Sequence, residues 1–421
     1  MGGIPQKSLM IDIKPSIATL SNGLRVVHLQ TSSPVAHFGV TILAGSRFEE
    51  SDEIGLAHFL EHCIFKGTNK RKAYHILSRL DAVGGELNAY TAKEEMCVYA
   101  SFSKQYLERA IELIGDLITN SNFPQKEIEK EKEIIIDEIN SYLDNPSEKI
   151  FDDFENELFK GHSLGNNILG DKETVRGFSK ANLESYVNRF FIAENMVVSC
   201  VGDFQFEQVI RMVEQNFGCV KSANKLIKKI PTIKFNSFKI KSEESNYQVH
   251  AIVGGLAPSY SHDHRKGMTL LTNMLGGPAL NSRLTLLIRE KYGYSYNVEA
   301  NYNPYIDTGY WSIYFGTDSK YMDKTMSLIY KELNSIRNQK VGVLQLQRAK
   351  EQLKGQIALG MDNNSGLMQG LGKSLLFFDH IDTISEIYKG IDHLTSSELM
   401  EIANCYFDDK QFSELIFTPA L

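Results

Sequence analysis

The sequence predicts an α+β protein built from two similar halves. Three observations carry this. Apolar residues alternate at period 2 in some stretches and recur at period 3.6 in others. Both kinds of stretch are mixed within each half, and the order of segments before residue 218 returns after residue 237.

The first half opens on residues 17–31, IATLSNGLRVVHLQT, where a Ser-Asn-Gly turn separates two β-prone runs, and 35–44 continue as an apolar strand. From Gly55 to Ile64 the apolar residues recur at helical spacing, and 73–83 reads as a second amphipathic helix ending at Gly84-Gly85. Residues 86–102 return to strands. Helical patterns then cover 104–120, 124–144 and 147–160, with Pro124 at the first helical position and Asn145-Pro146 as a stop. A helix at 179–190, a buried strand at 195–202 and a helix at 205–217 complete this half.

Residues 219–236 are rich in Lys and lack a clear period, which marks a linker between domains at 1–218 and 237–421. The second domain places strands at 247–256, a helix at 263–275 ended by Gly276-Gly277, and a second helix through 280–291. The strands NVEANY and YWSIYFGT follow, then helices near 320–338 and 341–361 and a closing strand near 413–418. LSRLDAVGGELNAYT at 77–91 corresponds to LLIREKYGYSYNVEAN at 286–301, so the plan is an internal duplication.

At 421 residues there is length for two cores, and 42% apolar with 23% charged residues excludes a disordered or fibrous chain. A formal charge of −7 argues against a surface made to neutralise phosphates, so no nucleic-acid partner is expected. The five cysteines are scattered and never form a CxxC pair, which fits reduced thiols. No apolar leader opens the sequence and no stretch reaches the roughly 18 apolar residues of a membrane span. A cytoplasmic protein without membrane contact is the expectation.

The string HFLEHCIFKGT carries the chemistry. His58, Glu61 and His62 stand at i, i+3 and i+4 of a helix, which puts three side chains on one face. Two imidazoles one turn apart can bind one Zn²⁺, and the carboxylate between them lies where a metal-bound water must lose its proton. This is the H-x-x-E-H pattern. A third protein ligand is needed, and the helix at 124–144 offers Glu131 and Glu138 two turns apart; periodicity does not choose between them. Cys63 follows a ligand directly, but adjacent helical residues point about 100° apart, which turns it toward the core.

HFLEHCIFKGT, EKEIIIDEIN, GGELNAYTAKE and LIREKYGYSY, in this order and over essentially the full length, resemble the pitrilysin-type (M16) metallopeptidases. The likeness is greatest to bacterial peptidases similar to the catalytic β subunit of the mitochondrial processing peptidase. The resemblance implies two α/β-sandwich halves forming a clamshell, one zinc ion per chain, His58, His62 and Glu138 as ligands, Glu61 as base, and Glu131 supporting the site. It also implies that Arg289 and Tyr296 of the second half reach over the substrate, and that 86–92 is an edge strand where an extended peptide adds beside Asn88 and Ala89. Glu148 and Asp152, one turn apart on the next helix, match acidic residues that receive an arginine two positions before the scissile bond. The helix at 263–275 has no H-x-x-E-H pattern, so the second half is expected to be metal-free. Relatives pair as homodimers or heterodimers. A non-catalytic scaffold or substrate-binding subunit and a zinc-storing protein are the rival readings.

Overall fold

Two sheets of the same topology organise the chain, as described by a computed structural model of residues 14–223 and 235–420. Most of the expected linker, 224–234, lies outside the described residues. The first sheet comprises β1 (Ser16–Thr19), β2 (Arg25–Gln30), β3 (Val35–Ile42), β4 (Glu86–Thr91), β5 (Met96–Ser103) and β6 (Met196–Gly202), in the order β1-β2-β6-β3-β5-β4. The second comprises β7 (Lys239–Glu244), β8 (Val249–Leu256), β9 (Asn297–Pro304), β10 (Gly309–Thr317) and β11 (Ser413–Pro419), in the order β7-β11-β8-β10-β9. In each sheet the first full strand pairs in parallel with the last, the next three ladders are antiparallel, and the third strand forms an edge. Among the described residues only β1 has no counterpart. Its hairpin closes through Gly23, whose φ of 91° requires glycine.

The helices repeat as well. The first half holds α1 (Leu56–Ile64), α2 (Ala73–Asp81), α3 (Leu107–Asn120), α4 (Gln125–Leu143), α5 (Pro146–Leu158), α6 (Lys172–Gly177), α7 (Lys180–Phe190) and α8 (Phe206–Phe217). The second holds α9 (Arg265–Gly276), α10 (Met322–Asn338), α11 (Val343–Met361), α12 (Asn364–Phe378), α13 (Ile384–His393) and α14 (Ser396–Tyr406). Where the sequence pattern suggested a helix through 280–291, the chain forms a short π-helical stretch, Thr285–Lys291. Pro278 and the loop after Gly277 consume the residues that would have made its first turn. Pro124 caps α4 rather than starting it, and Asn145-Pro146 both ends one helix and opens the next, with Pro146 at the first position of α5. Strand β7 and helices α12 to α14 add to the expected plan.

Two helices lie on the sheet of the other half. Along β3, Phe38, Val40 and Ile42 alternate with Gly39 and Thr41, so opposite faces of the sheet receive different partners. Phe38 meets Phe217 of α8. Gly39 and Thr41 meet α12: Met368, Leu371, Leu375 and Leu376 are buried in the core of the first half. A Cβ on Gly372 would come within 2.5 Å of Thr41 Oγ1 and 3.1 Å of Ser199 Oγ. Reciprocally, Ile150, Phe154 and Leu158 of α5 pack with Ile252, Tyr310, Tyr314, Leu415 and Phe417 of the second sheet. Gly254 makes room there, since its Cβ would stand 2.8 Å from Phe154 Cζ.

The β4–β5 turn adds polar ties to α5, to Arg47 and to the second half. Lys93 pairs with Glu155 at 3.3 Å, Glu94 pairs with Arg47 and accepts the Ile306 N–H at 3.1 Å, and Lys373 donates to Glu95 at 2.6 Å. Arg47 in turn reaches Asp307 at 2.6 Å. Among the described residues no helix is long and apolar enough to cross a membrane.

The exchanged packing is testable at two glycines of one helix. Gly372→Val should cost about 1–3 kcal/mol by overpacking and lower the denaturant midpoint. Gly370→Ala, where a Cβ meets nothing within 4 Å, should not. Equal effects of the two would contradict the contact.

Candidate metal centre

Helix α1 follows from its sequence in two ways. Leu56, Ala57, Phe59, Leu60, Cys63 and Ile64 bury its inner face, while Gly55 starts it at φ 94°, packed so tightly that a Cβ would lie 2.7 Å from Gly170 Cα. Glu49 accepts the backbone N–H groups of Gly55 at 3.0 Å and Ala57 at 2.8 Å. These are donors that a helix start leaves without intrahelical partners. Burial outweighs those bonds and lifts the Glu49 carboxyl to about 8. Cys63 faces the core as expected, its thiol pushed up by burial.

The outer face of α1 holds His58 and His62, with ring centroids 4.7 Å apart. Helix α4 packs across it and brings Glu138 to both rings: Oε1 stands 3.9 Å from His58 Nε2, and Oε2 stands 3.6 Å from His62 Nε2. One donor atom from each of the three lies within 4.8 Å of the others. Glu131, two turns earlier, is only 3% exposed, and its Oε2 accepts from His62 Nδ1 at 3.2 Å while Lys66 Nζ lies 2.8 Å from Oε1. Burial raises the Glu131 carboxyl, yet the His62 and Lys66 bonds overcome this and hold it below the usual range. The geometry therefore gives Glu138 and Glu131 different places, which periodicity left open.

These residues fit a zinc ion by their donor chemistry. Burial first, then the neighbouring His62, lowers His58 to about 4, so its imidazole is neutral and offers a lone pair. Glu131 accepting from Nδ1 of His62 directs the lone pair of Nε2 toward Glu138, an arrangement common around bound metals. Donors on a tetrahedral zinc with bonds of about 2.0–2.1 Å stand roughly 3.3 Å apart, close to the spacings found. Glu61 sits on the same helix, close to Thr91 of β4, and burial raises its carboxyl. Among the described residues one other group comes within coordinating reach, His380, Asp382 and Glu386, but Glu386 is engaged by the Thr383 N–H at 2.7 Å and hydroxyl at 2.8 Å.

The other expected residues are dispersed. Asn88 is exposed and Ala89 half-buried on β4, the sheet edge beside Glu61. Arg289 and Tyr296 line one hollow of about 290 Å³ in the second half; Tyr296 is 89% exposed and Arg289 pairs with Glu290 at 3.4 Å. No hydrogen bond or ion pair joins either to α1 among the described residues. Glu148 is exposed on the first turn of α5, and Asp152 accepts the Tyr142 hydroxyl at 2.7 Å. Sequence reasoning missed Glu49 and Lys66. Lys66 stands four residues after His62 in the same string, a spacing that suggests a shared face, whereas nothing local marks Glu49.

Comparison with known proteins fits this architecture. The family model for insulinase, peptidase family M16, matches residues 25–172, and that for the peptidase M16 inactive domain matches residues 177–353. The chain is 30% identical over 400 residues to an uncharacterized zinc protease of Bacillus subtilis, covering 94% of this chain and 97% of that protein. It is 32% identical over 407 residues to one of Mycobacterium leprae, covering 95% and 91%. A protease from Helicobacter pylori shares the fold with a TM-score of 0.88 at 20% identity, over 96% of this chain and 100% of that one. A peptidase M16 inactive domain structure from Pseudomonas fluorescens does so with a TM-score of 0.90 at 17% identity, over 97% and 98%. These matches define a class, zinc metallopeptidases built from two duplicated halves. The chain belongs to peptidase family M16.

The support of α1 by Glu49 has a pH signature. Its folded value lies above the ordinary carboxylate value of 4.5, so the folded chain holds a proton that the unfolded chain releases. That stability is complete below about 4.5 and is lost as pH rises to about 8. Against Glu49→Gln, the parent should lose up to about 1.4 kcal/mol of unfolding free energy per pH unit across this window and nothing more above it. Parallel pH curves for parent and variant would contradict the assignment.

Proposed function

We propose that the chain is a zinc-dependent endopeptidase that cleaves short or unfolded peptides. The observation that carries this reading is the convergence of His58 and His62 from α1 with Glu138 from α4, with Glu61 on the same helix as the histidines. His58, His62 and Glu138 would hold one zinc ion per chain. When bound, zinc would acidify a water and polarise the peptide carbonyl. Glu61, its carboxyl raised by burial, takes the proton from the water and delivers it to the leaving amine. Glu131 keeps His62 oriented.

The edge of β4 receives an extended peptide through main-chain hydrogen bonds at Asn88 and Ala89. Arg289 and Tyr296 are offered as donors to the substrate carbonyl and developing oxyanion once the two halves close. Glu148 and Asp152 are the candidate receivers of an arginine two residues before the scissile bond, a paired carboxylate suiting the planar guanidinium. This reading places the protein in the cytoplasm, with domains at 1–218 and 237–421, as a homodimer or as one subunit of a heterodimer. A purely scaffolding subunit would have no use for the intact donor set of the first half.

Glu61→Gln should keep zinc and lose peptide cleavage, because the ligands remain while the base is gone. His58→Ala, His62→Ala or Glu138→Ala should lose both, measured by metal analysis beside a quenched-peptide assay. Cleavage by Glu61→Gln at the parent rate, or stoichiometric zinc in His58→Ala, would overturn the mechanism.

Arg289→Ala and Tyr296→Phe should each lower turnover by about 10²–10³ with zinc unchanged. Unaltered turnover in both would remove the second half from the chemistry. Glu148→Ala and Asp152→Ala should erase a preference for Arg over Lys or Ala in peptides varied at that position; an unchanged preference would remove them from substrate reading.

A further inference from the structure

The second half has a hollow where the first half carries its metal ligands. It lies between α9 and α11, which follow β8 and β10 as α1 and α4 follow β3 and β5. Two adjoining cavities of about 470 and 490 Å³ share Tyr260, Arg265, Thr269, Leu353, Ser374 and Phe378. The second of them meets the hollow of Arg289 and Tyr296 through Gly277, Pro278, Ala300 and Asn301. The three hollows therefore adjoin in series along α9.

The charge of this space is unusual for the protein. Arg265, at the first turn of α9, stands with its guanidinium carbon 4.9 Å from the centroid of the Phe378 ring. Lys266 extends along α13, where Gly390 makes room for it: a Cβ there would come within 2.6 Å of Nζ. Both are half-buried, and neither has a carboxylate partner among the described residues. Several other half-buried cations do have one: Arg71 has Glu112 and Asp116, Arg189 has Glu53, and Lys149 has Asp153 and Glu244; Arg109 and Lys350, which have none, donate instead to the backbone carbonyls of Arg79 and Asp392. The third cation of the lining, Lys373, is satisfied by Glu95 at 2.6 Å. Asp382, the sole carboxylate lining these two cavities, lies 3.2 Å from His380, and Glu299 lines the adjoining hollow.

A half-buried cation without a counter-ion is costly, and a cavity holding two of them favours an anionic occupant. The walls narrow the choice. Leu353, Ile357, Ile387 and Ile391 supply apolar surface, and Thr269 and Ser374 add hydroxyls. A carboxylate attached to an apolar body satisfies both, whereas a fully hydrated phosphate would leave the apolar wall wet.

We propose that this cavity is a carboxylate-binding subsite for the peptide substrate, remote from the scissile bond, in which Arg265 and Lys266 provide the charge. The carboxylate is either the C-terminal one, with its own side chain on the apolar wall, or that of an Asp or Glu residue. The proposal rests on the peptidase reading above. In topological terms the first half binds a cation with anionic and imidazole ligands, and the second half, at the matching place, binds an anion with protein cations. Because the subsite lies away from the reacting atoms, its contribution falls on KM rather than kcat.

The test compares one peptide in three forms, with a free C-terminus, with an amidated C-terminus, and with its Asp and Glu replaced by Asn and Gln, on the parent and on a double variant Arg265→Gln, Lys266→Gln. For the parent, neutralising the carboxylate that is read should raise KM by about tenfold to a hundredfold with kcat unchanged, as loss of a charge-assisted bond does. The double variant should show the raised KM with all three forms. Loss on amidation assigns the C-terminus, and loss on side-chain neutralisation assigns an acidic residue. A parent indifferent to both changes, or a double variant that keeps the parent's preference, overturns the subsite; because the first arm uses unaltered protein, misfolding of the variant cannot hide the answer. Fluorescence anisotropy of the same three peptides, labelled, on the Glu61→Gln chain separates this result from the peptidase reading. Should the parent cleave nothing, carboxylate-dependent binding that the Gln substitutions remove would still support the subsite, and binding blind to the carboxylate would still overturn it.

Discussion

The reciprocal exchange of α5 and α12 is the constraint on which the molecule depends. Each helix occupies the same place in its own half's chain order, and each buries its apolar face on the sheet of the other half. Neither sheet can complete its core alone. The small residues of β3, Gly39 and Thr41, and the glycines Gly372 and Gly254 make sense only as the seats of these helices. Each buried Leu, Ile, Met or Phe side chain contributes about 1.5–3 kcal/mol, so the exchange couples the stability of one half to that of the other. It also fixes the β4–β5 turn, whose Glu94 and Glu95 meet Ile306 and Lys373 of the second half. That turn is continuous with the edge strand beside Glu61.

What could be read from the sequence was what is local. His58, Glu61 and His62 lie within five residues of one another, and a helix at that place follows from its apolar spacing alone. The order of strands around the Gly-Gly and turn signals was legible for the same reason. Helix α12 was not, because its sequence, NSGLMQGLGKSLLFF, has three glycines and apolar residues nearly all round. A helix buried between a sheet and its own half has no clean polar face. The choice between Glu131 and Glu138 was likewise closed to periodicity, since both lie on one face of α4. It took the packing of α4 on α1 to separate a carboxylate beside two Nε2 atoms from one bonded to Nδ1. Glu49 acts from outside any motif, through backbone groups at the start of α1, and such contacts leave no mark on composition or spacing.

The two halves differ most where they correspond best. Helix α1 presents two imidazoles and the Glu61 carboxyl on the face that α4 crosses, whereas α9, in the same topological position, presents Arg265, Lys266, Thr269 and Asn273 to the cavities. Duplication preserved the scaffold and the hollow while the chemistry of the lining changed sign. The first half thus brings together a donor set suited to a metal, and the second half places cations without carboxylate partners at the matching position.

The claim at the centre of this account is that one zinc ion is held by His58, His62 and Glu138. Diffraction data collected on either side of the zinc absorption edge, from crystals of the full chain, test it most directly. The account predicts a single anomalous peak per chain, between Nε2 of His58, Nε2 of His62 and the Glu138 carboxylate. A peak at His380, Asp382 and Glu386 with none at α1, or a second peak of equal height between α9 and α11, would contradict it.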